Sequence, residues 1–245
     1  MKISLRKTLT QQLEGELQTD GLSRALYATD ASVYRKLPVA VAYPKTINDI
    51  KVLIAFANEN GVGLIPRTAG TSLAGQCVGD GIVVDVSKHF IQIISLDQQK
   101  KQVRVQPGVV RDELNLYLKP FGLFFGPNTS TSNRCMIGGM VGNNSSGTTS
   151  IQYGVTRDKV VSMKCLLADG SEVEVSSLTK EEFHQKKQEK SKEGEIYSFL
   201  DTELGNVENQ KRIRNEFPHP SIHRRNTGYA VDELLNNNLF GSDAE

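Results

Sequence analysis

The sequence is poor in three features that would each point to a particular kind of protein: cysteine, long apolar runs and net charge. Its three cysteines, Cys77, Cys135 and Cys165, lie far apart, and no pair has the CxxC spacing. This argues against both a disulfide framework and a zinc site, and it is typical of a reducing compartment. We interpret all three as small buried side chains.

The sequence also lacks a targeting or membrane signal. Its N-terminus has no apolar signal-peptide core, and no apolar run approaches the length of a transmembrane helix. The formal net charge is +1, so nucleic acid is not an expected partner. We therefore expect a cytoplasmic protein, with attachment to the periphery of the inner membrane as the alternative.

The first half of the chain has an α/β pattern. Leucines at helical spacing predict an amphipathic helix over the first twenty residues, within an N-terminal segment 1–26. Residues 38–44 then predict a strand, and Thr46 with Asp49 begins a capped helix that Gly61 ends. The strands VGLIP and GIVVDVS follow, so we expect a small parallel unit with its ligand at the carboxyl end of a strand.

The second half favours antiparallel pairing. IQIISLD and KQVRVQPG predict one hairpin, and Asp169-Gly170 marks the turn of another. RDELNLYLKPFG predicts a helix that ends at Pro120 and Gly122. Residues 177–195 are almost wholly polar or charged, and we interpret them as a solvated insertion, either helical or mobile. The predicted fold class is therefore α+β.

The run PRTAGTSLAGQ, residues 66–76, follows a predicted strand and contains almost no bulky side chain. The Rossmann pattern GxGxxG does not occur in the sequence, and Gln76 and Cys77 stand where a P-loop needs lysine and a hydroxyl residue. What remains is a loop whose backbone N–H groups, with the hydroxyls of Thr71 and Ser72, suit a phosphate without a metal. A tight structural turn is the alternative, and Arg67 could equally make a structural salt bridge.

A second run of the same character, GPNTSTSNRCMIGGMVGNNSSG, spans residues 126–147. Two such runs are hard to explain as turns, because small polar loops between regular elements usually line a ligand. A ligand with two phosphates, held between two subdomains, would use both. The pair predicts a dinucleotide site without the Rossmann fold.

Several motifs in a fixed order then resemble a known family. PRTAGTSLAGQ, GIVVDVS, VRVQPGVVRDEL, IGGMVGNNSSG and LLADGS resemble the FAD-binding domain of the vanillyl-alcohol oxidase and p-cresol methylhydroxylase superfamily. Within it, the chain is most similar to the FAD-linked oxidases that include D-lactate, glycolate and D-2-hydroxyglutarate dehydrogenases. The resemblance covers roughly residues 27–240. It implies FAD held by two α+β subdomains, here 27–97 and 98–240, and oxidation of a 2-hydroxy acid by hydride transfer to the flavin.

The resemblance assigns cofactor contacts motif by motif. The first loop would hold the pyrophosphate, the second would line the flavin and ribityl chain, and two later segments would return beside the cofactor. The residues that it implies are Arg67, Ala69, Gly70, Thr71, Ser72, Gln76, Pro127, Asn133, Arg134, Ile137, Gly138, Gly139, Asn143, Gly147, Val160, Gly228 and Tyr229. The family often has glycine at Thr68 and Ala69. Because the loop has no histidine and Cys77 has no matching pattern, the FAD is expected to be noncovalent.

The resemblance also implies parts that this sequence does not contain. In the family a C-terminal cap domain supplies most substrate contacts and the catalytic base, so no catalytic residue is assigned here. Arg224 and Arg225 could neutralise a substrate carboxylate or the reduced flavin, although a surface pair is the alternative. No metal site is expected, because prolines flank His219 in HPSIH and argue against a helix that would pair it with His223.

The expected function is the FAD-binding portion of a 2-hydroxy acid dehydrogenase, with electrons passing to an iron–sulfur partner or a quinone. One alternative is an FAD-binding module without catalysis of its own. Another is a different FAD-linked oxidase or reductase of the same superfamily.

Overall fold

The computed structural model describes residues 3–219, 221–222, 228–237 and 239–240. The chain divides into two compact units, Met1–Asp158 and Lys159–Glu245, and each is described by itself. In chain order, the first unit contains α1 (Ile3–Gln12), β1 (Glu16–Gln18), α2 (Gly21–Leu26), β2 (Ala40–Tyr43), α3 (Ile47–Asn60), β3 (Leu64–Arg67), β4 (Ile82–Asp85), β5 (Ile93–Asp97), β6 (Gln102–Val105), α4 (Arg111–Leu118), α5 (Ile137–Asn143) and α6 (Ser150–Tyr153).

A four-stranded sheet forms the centre of the first unit, with strand order β1-β2-β4-β3. β4 pairs in parallel with both β2 and β3, whereas β1 pairs antiparallel with β2. The predicted parallel unit is confirmed, and β4 lies between the two strands that α3 connects. Parallel strands end at one edge of a sheet, so this edge carries Tyr43, Arg67 and Asp85.

The helix α3 begins and ends where the sequence predicts. The side chain of Thr46 accepts the N–H of Asp49, and the Asp49 carboxylate accepts the N–H of Thr46 in return, which completes a capping box. Gly61 ends the helix in the left-handed conformation at φ 61°. Leu53 and Phe56 of this helix pack against the sheet in the main core.

The predicted N-terminal helix is too long. α1 ends at Gln12, and Leu17 lies in β1 opposite Ala42. The helix does not extend further, because residues 16–18 form a strand paired with β2 and the N–H groups of Glu14 and Gly15 donate to the Asp49 carboxylate. Leu9 and Leu17 are nevertheless both buried in the core of the sheet, so the leucine pattern identified the buried residues but not the change of backbone.

The remaining part of the first unit combines a hairpin with three helices. β5 and β6 pair antiparallel as predicted, and α4 packs on a core formed around Val109, Leu114 and Leu118. After α4 a 3₁₀ turn at 119–121 leads to Gly122 at φ 68°, as the Pro-Gly signal predicts. The short helices α5 and α6 were not predicted. The subdomain boundary at 97/98, which falls in the hairpin turn, stays a prediction.

The second unit contains β7 (Ser162–Leu166), β8 (Glu172–Ser176), α7 (Lys180–Gln188), α8 (Lys192–Gly205), α9 (Val207–Glu216) and α10 (Val231–Leu235). The predicted hairpin β7–β8 is confirmed. The charged segment 177–195 is helical, and its Phe183 is buried with Leu204, Leu235 and Phe240. This segment therefore contributes to a core. No helix in the described ranges is long and apolar enough to cross a bilayer.

Asp49 provides a test of how the segment before β1 is joined to the segment after β2. It is fully buried, and its carboxylate accepts the N–H groups of Glu14, Gly15, Lys45 and Thr46. Replacing it by alanine should lower the free energy of unfolding by about 3 kcal/mol, because four backbone N–H groups in partly buried hydrogen bonds lose a charged acceptor. Urea denaturation of the variant measures this loss.

The matched control is Asp20→Ala. Asp20 is also a helix-capping aspartate, but it accepts only the N–H of Ser23, at an exposed site. Its loss should be much smaller. Equal losses for the two variants would contradict the role given to Asp49.

Candidate functional site

The first loop leaves β3 at Arg67 and runs through residues 68–76. Gly70 has φ 65°, a left-handed conformation that favours glycine. Its carbonyl accepts the N–H of Ala31 at 3.2 Å, which ties the middle of the loop to the preceding segment. Within the described part of the chain, the backbone N–H groups of residues 69–73 donate to no other protein group. Consecutive open N–H groups of this kind form an anion-binding concavity.

Arg67 supports this loop through contacts within the protein. Its Nη1 donates to the carbonyl oxygen of Thr29 at 2.8 Å, and its Cζ lies 4.9 Å from the centroid of the Tyr27 ring. The guanidinium packs so closely under Gly70 that a Cβ atom there would lie 2.5 Å from Nη2. These contacts support the structural alternative for Arg67 that the sequence left open. They also explain a second requirement for glycine at position 70.

A polar network lies beneath Arg67 at the carboxyl edge of the sheet. The Tyr27 hydroxyl donates to Oδ2 of Asp85 at 2.5 Å, and burial together with this hydrogen bond raises the pKa of Tyr27. Burial would raise the pKa of Asp30, but hydrogen bonds from Ser32 and Cys77 and the charge of Arg67 outweigh it and lower that pKa. The charge of Arg67 therefore acts on the Asp30 carboxylate.

The second loop is fixed from behind by side chains that bind its backbone. Arg111 donates from Nε to the carbonyl of Pro127 and from Nη2 to that of Phe125. Thr156, which is fully buried, donates from both its backbone N–H and its hydroxyl to the carbonyl of Ser145. Near Gly147, Asn128 accepts two hydrogen bonds from Thr149. The backbone of the second loop is therefore held by side chains of the protein itself.

The helix α5 lies inside this second loop and changes which backbone groups are free. The N–H of Ile137 donates to the carbonyl of Val109 at 2.9 Å, and that of Gly138 donates to Pro107 at 2.8 Å. The N–H groups of these two predicted contact residues thus already have acceptors within the protein. Among residues 137–139, only the N–H of Gly139 has no acceptor in the described ranges.

The two loops meet at two points in the first unit. Gly139 of α5 packs against Thr68, so closely that a Cβ atom on Gly139 would lie 2.5 Å from Oγ1 of Thr68. The Gln76 Nε2 donates to Oδ1 of Asn143 at 2.9 Å. The pair of small-residue runs identified in the sequence therefore forms one continuous surface. Its donors are neutral N–H and hydroxyl groups, which suit a pyrophosphate.

The other predicted contacts are distributed more widely. Asn133 and Arg134 are exposed and bonded to each other, with Nη1 of Arg134 3.0 Å from Oδ1 of Asn133. In the second unit, Val160 precedes β7, Gly228 has φ 71°, and the Tyr229 side chain is 93% exposed.

Two predictions from the C-terminal region concern residues that the structure does not fully describe. Arg224, Arg225 and His223 lie outside the described residues. His219 is described, and its ring forms a hydrogen bond with Ser221. The distance from Nδ1 of His219 to Oγ of Ser221 is 2.8 Å, and the tautomer of the ring decides which atom donates. In the described ranges no group of three or more His, Cys, Asp or Glu side chains is arranged to hold a metal ion.

Sequence reasoning missed the residues that support the loops. Three of them lie outside the glycine-rich runs: Tyr27, Asp85 and Arg111. Asn128 lies inside the second run but carries no local signal of its role. Only the hydrogen-bond partners of these residues reveal what they do. Tyr27 does open the segment at which the family resemblance begins. A separate depression of about 620 Å³ runs along α4 and contains none of the predicted cofactor residues.

Comparison with known proteins matches residues 38–176, more than half of the chain, to the family described as FAD binding domain. A D-2-hydroxyglutarate dehydrogenase of Haemophilus influenzae is 42% identical over 171 residues, which cover 69% of this chain and 17% of that protein. The D-2-hydroxyglutarate dehydrogenase of Escherichia coli is 35% identical over 98% of this chain and 23% of its own length. Glycolate oxidase subunit GlcD of Bacillus subtilis is 35% identical over 60% of this chain and 32% of its length.

Solved structures share the fold. An alkyldihydroxyacetonephosphate synthase superposes with a TM-score of 0.64 at 20% identity, over 71% of this chain and 38% of its own. A carbohydrate oxidase from Microdochium nivale superposes with a TM-score of 0.60 at 21% identity, over 70% of this chain and 37% of its own. The chain spans about a third or less of each curated relative named above. The likeness to the solved structures concerns the fold alone.

The contact between Gly139 and Thr68 yields a test of the loop arrangement. Gly139→Ala should weaken FAD binding, because the new Cβ atom would meet Oγ1 of Thr68 at 2.5 Å and separate the loops. Thr68→Ala in the same chain should restore binding, since the Cβ atom of Thr68 lies 3.9 Å away. Fluorescence titration with FAD measures both effects.

The matched control lies in the same helix. A Cβ atom on Gly142 would meet no atom within 4 Å, so Gly142→Ala should leave FAD binding unchanged. If Gly139→Ala and Gly142→Ala behave alike, or if Thr68→Ala does not rescue, the close approach of the loops does not shape the site.

Proposed function

The chain belongs to the FAD-binding domain family, and from this premise we propose that it is the cofactor-holding part of a flavin-dependent dehydrogenase that oxidises a 2-hydroxy acid. The observation that carries this proposal is the junction of two small-residue loops beside the open N–H groups of residues 69–73. The relatives named D-2-hydroxyglutarate dehydrogenase and glycolate oxidase subunit support the substrate class.

The residues of the first loop fit the pyrophosphate of FAD. Ala69, Gly70, Thr71 and Ser72 offer open backbone N–H groups, and the Thr71 hydroxyl adds a donor, with no bulky side chain among the four. Hydrogen-bond donors of this kind bind phosphate oxygens without a metal ion. The Gly139 N–H is the corresponding free donor of the second loop.

FAD, when bound, supplies an acceptor for the hydride that leaves the α-carbon of the substrate. The residues of this chain hold and orient the cofactor. The positive charge of Arg67 acts beneath the loop, where it fixes the Thr29 carbonyl and the path of the backbone. We assign no catalytic base to this chain.

The proposal includes components beyond this sequence. Because the curated relatives are several times longer than the matched region, we propose that a cap domain or subunit supplies the substrate contacts and the base. An iron–sulfur centre or a quinone would then accept the electrons. We propose a cytoplasmic location, with attachment to the periphery of the inner membrane if the acceptor is a quinone.

A second candidate function is an FAD-binding module without turnover of its own. The observation that favours it is that the joined loops offer donors for a cofactor, while none of the described residues is assigned as a catalytic base. Such a module would bind FAD but would not reduce it with any hydroxy acid.

One experiment separates these functions. The purified chain is titrated with FAD, FMN and ATP, and the FAD-loaded chain is then mixed anaerobically with D-2-hydroxyglutarate, glycolate or D-lactate. Preferential FAD binding followed by bleaching of the flavin absorbance supports the dehydrogenase. FAD binding without bleaching supports the module, and preferential ATP binding contradicts both.

We further propose that the FAD is noncovalent. Cys77 is the cysteine nearest in sequence to the first loop; it is only 8% exposed, and burial raises its pKa above the usual value for a thiol. A protonated, buried thiol is a poor nucleophile. Acid precipitation of the FAD-loaded chain should therefore leave the flavin in the supernatant, and flavin absorbance that stays with the washed pellet would contradict this prediction.

A further inference from the structure

A chain of side-chain hydrogen bonds crosses from the first loop to the second. Oγ of Ser72 donates to Oε1 of Gln76 at 2.5 Å, and Nε2 of Gln76 donates to Oδ1 of Asn143 at 2.9 Å. Nδ2 of Asn143 then donates to Oγ of Ser145 at 3.1 Å. We call these four residues the amide relay. Its central bond joins Gln76 to Asn143, which are 67 positions apart in the sequence.

Both ends of the relay are anchored to the backbone. The N–H of Ala74 donates to Oγ of Ser72, so the Ser72 hydroxyl accepts from the loop and directs its own proton to Gln76. At the other end Ser145 is buried, and its carbonyl accepts two hydrogen bonds from Thr156. The relay therefore connects the first loop to a buried residue of the protein interior.

The direction of the relay follows from the chemistry of the amide group. A side-chain amide has one acceptor oxygen and one donor nitrogen. Because Ser72 donates to the oxygen of Gln76, the nitrogen of Gln76 must face Asn143, whose oxygen accepts it and whose nitrogen faces Ser145. Each amide therefore uses one acceptor and one donor, and the three bonds are mutually consistent.

We propose that Gln76 and Asn143 are positioning residues, whose side chains fix the separation of the two loops before FAD arrives. This inference rests on the proposed function as an FAD-binding domain. It differs from the sequence-based assignment of both residues as cofactor contacts, because their side-chain polar atoms are bonded to each other and to serines. A loop held in its bound conformation loses less conformational freedom on binding, which increases affinity.

The relay is suited to this role because its two amide side chains, which form its central bond, are exposed. Gln76 and Asn143 both lie at the surface, so their hydrogen bonds contribute little to global stability. Removing either side chain should leave the free energy of unfolding nearly unchanged while loosening the first loop. If the two side chains served only the stability of the fold, their removal would instead lower the free energy of unfolding.

The test is a double-mutant cycle with Gln76→Ala, Asn143→Ala and the double variant. Each single variant should weaken FAD binding about three- to tenfold, the range expected for one hydrogen bond between neutral groups. The double variant should be no weaker than the single variants, because either change breaks the same relay. Isothermal titration with FAD gives the dissociation constants, and urea denaturation checks that folding is unchanged.

A second measurement needs no cofactor. Backbone ¹⁵N relaxation of the free protein should report lower order parameters for residues 69–76 in both single variants than in the parent chain. Gln188→Ala provides the control, because Gln188 makes an exposed side-chain hydrogen bond with His184 in α7. That variant should change neither the order parameters nor FAD binding.

The outcomes distinguish the two proposals. Additive losses of FAD affinity would mean that Gln76 and Asn143 contact the cofactor separately, and this overturns the relay. Unchanged order parameters in the free variants also overturn it. If the parent chain binds no FAD, the proposed function fails, and the order parameters alone still decide whether the relay holds the first loop.

Discussion

The site depends on the close packing of Gly139 against the side chain of Thr68 in the first unit. Gly139 in α5 lies against Thr68 at the start of the first loop, with no space for a Cβ atom between them. This contact brings a segment from the carboxyl end of β3 next to a segment that follows α4 in the chain. Without it, the open N–H groups of residues 69–73 and the N–H of Gly139 would belong to separate surfaces.

The small residues therefore serve two distinct purposes. At Gly70 and Gly139 the absence of a side chain admits other protein groups, the Arg67 guanidinium and the Thr68 hydroxyl. At Ala69, Thr71 and Ser72 small side chains leave the backbone N–H groups accessible. Part of a glycine-rich run that looks like a ligand-binding loop in sequence thus serves to pack the loops together, and the N–H groups that remain are the donors that we propose for the ligand.

Much of the fold followed from the sequence because its signals are local. The capping box of α3 and the hairpin of β7 and β8 depend on neighbouring residues, and both were predicted. The end of α1 and the helix α5 were not predicted, since each depends on contacts between residues that are distant in the sequence. After Gln12 the long-range partner is β2, with which residues 16–18 pair, and at Ile137 and Gly138 the hydrogen-bond partners are the carbonyls of residues 109 and 107. The family resemblance identified the two loops, but not Tyr27, Asp85 or Arg111, which hold them.

We propose that the joined loops bind the pyrophosphate of FAD through backbone donors, and a crystal structure of the chain with FAD would reveal this contact. We expect phosphate oxygens within hydrogen-bond distance of the N–H groups of residues 69–73, with the Arg67 guanidinium still bonded to the Thr29 carbonyl. Phosphates bound elsewhere, or an Arg67 side chain that leaves Thr29 and Tyr27 to contact them, would contradict it.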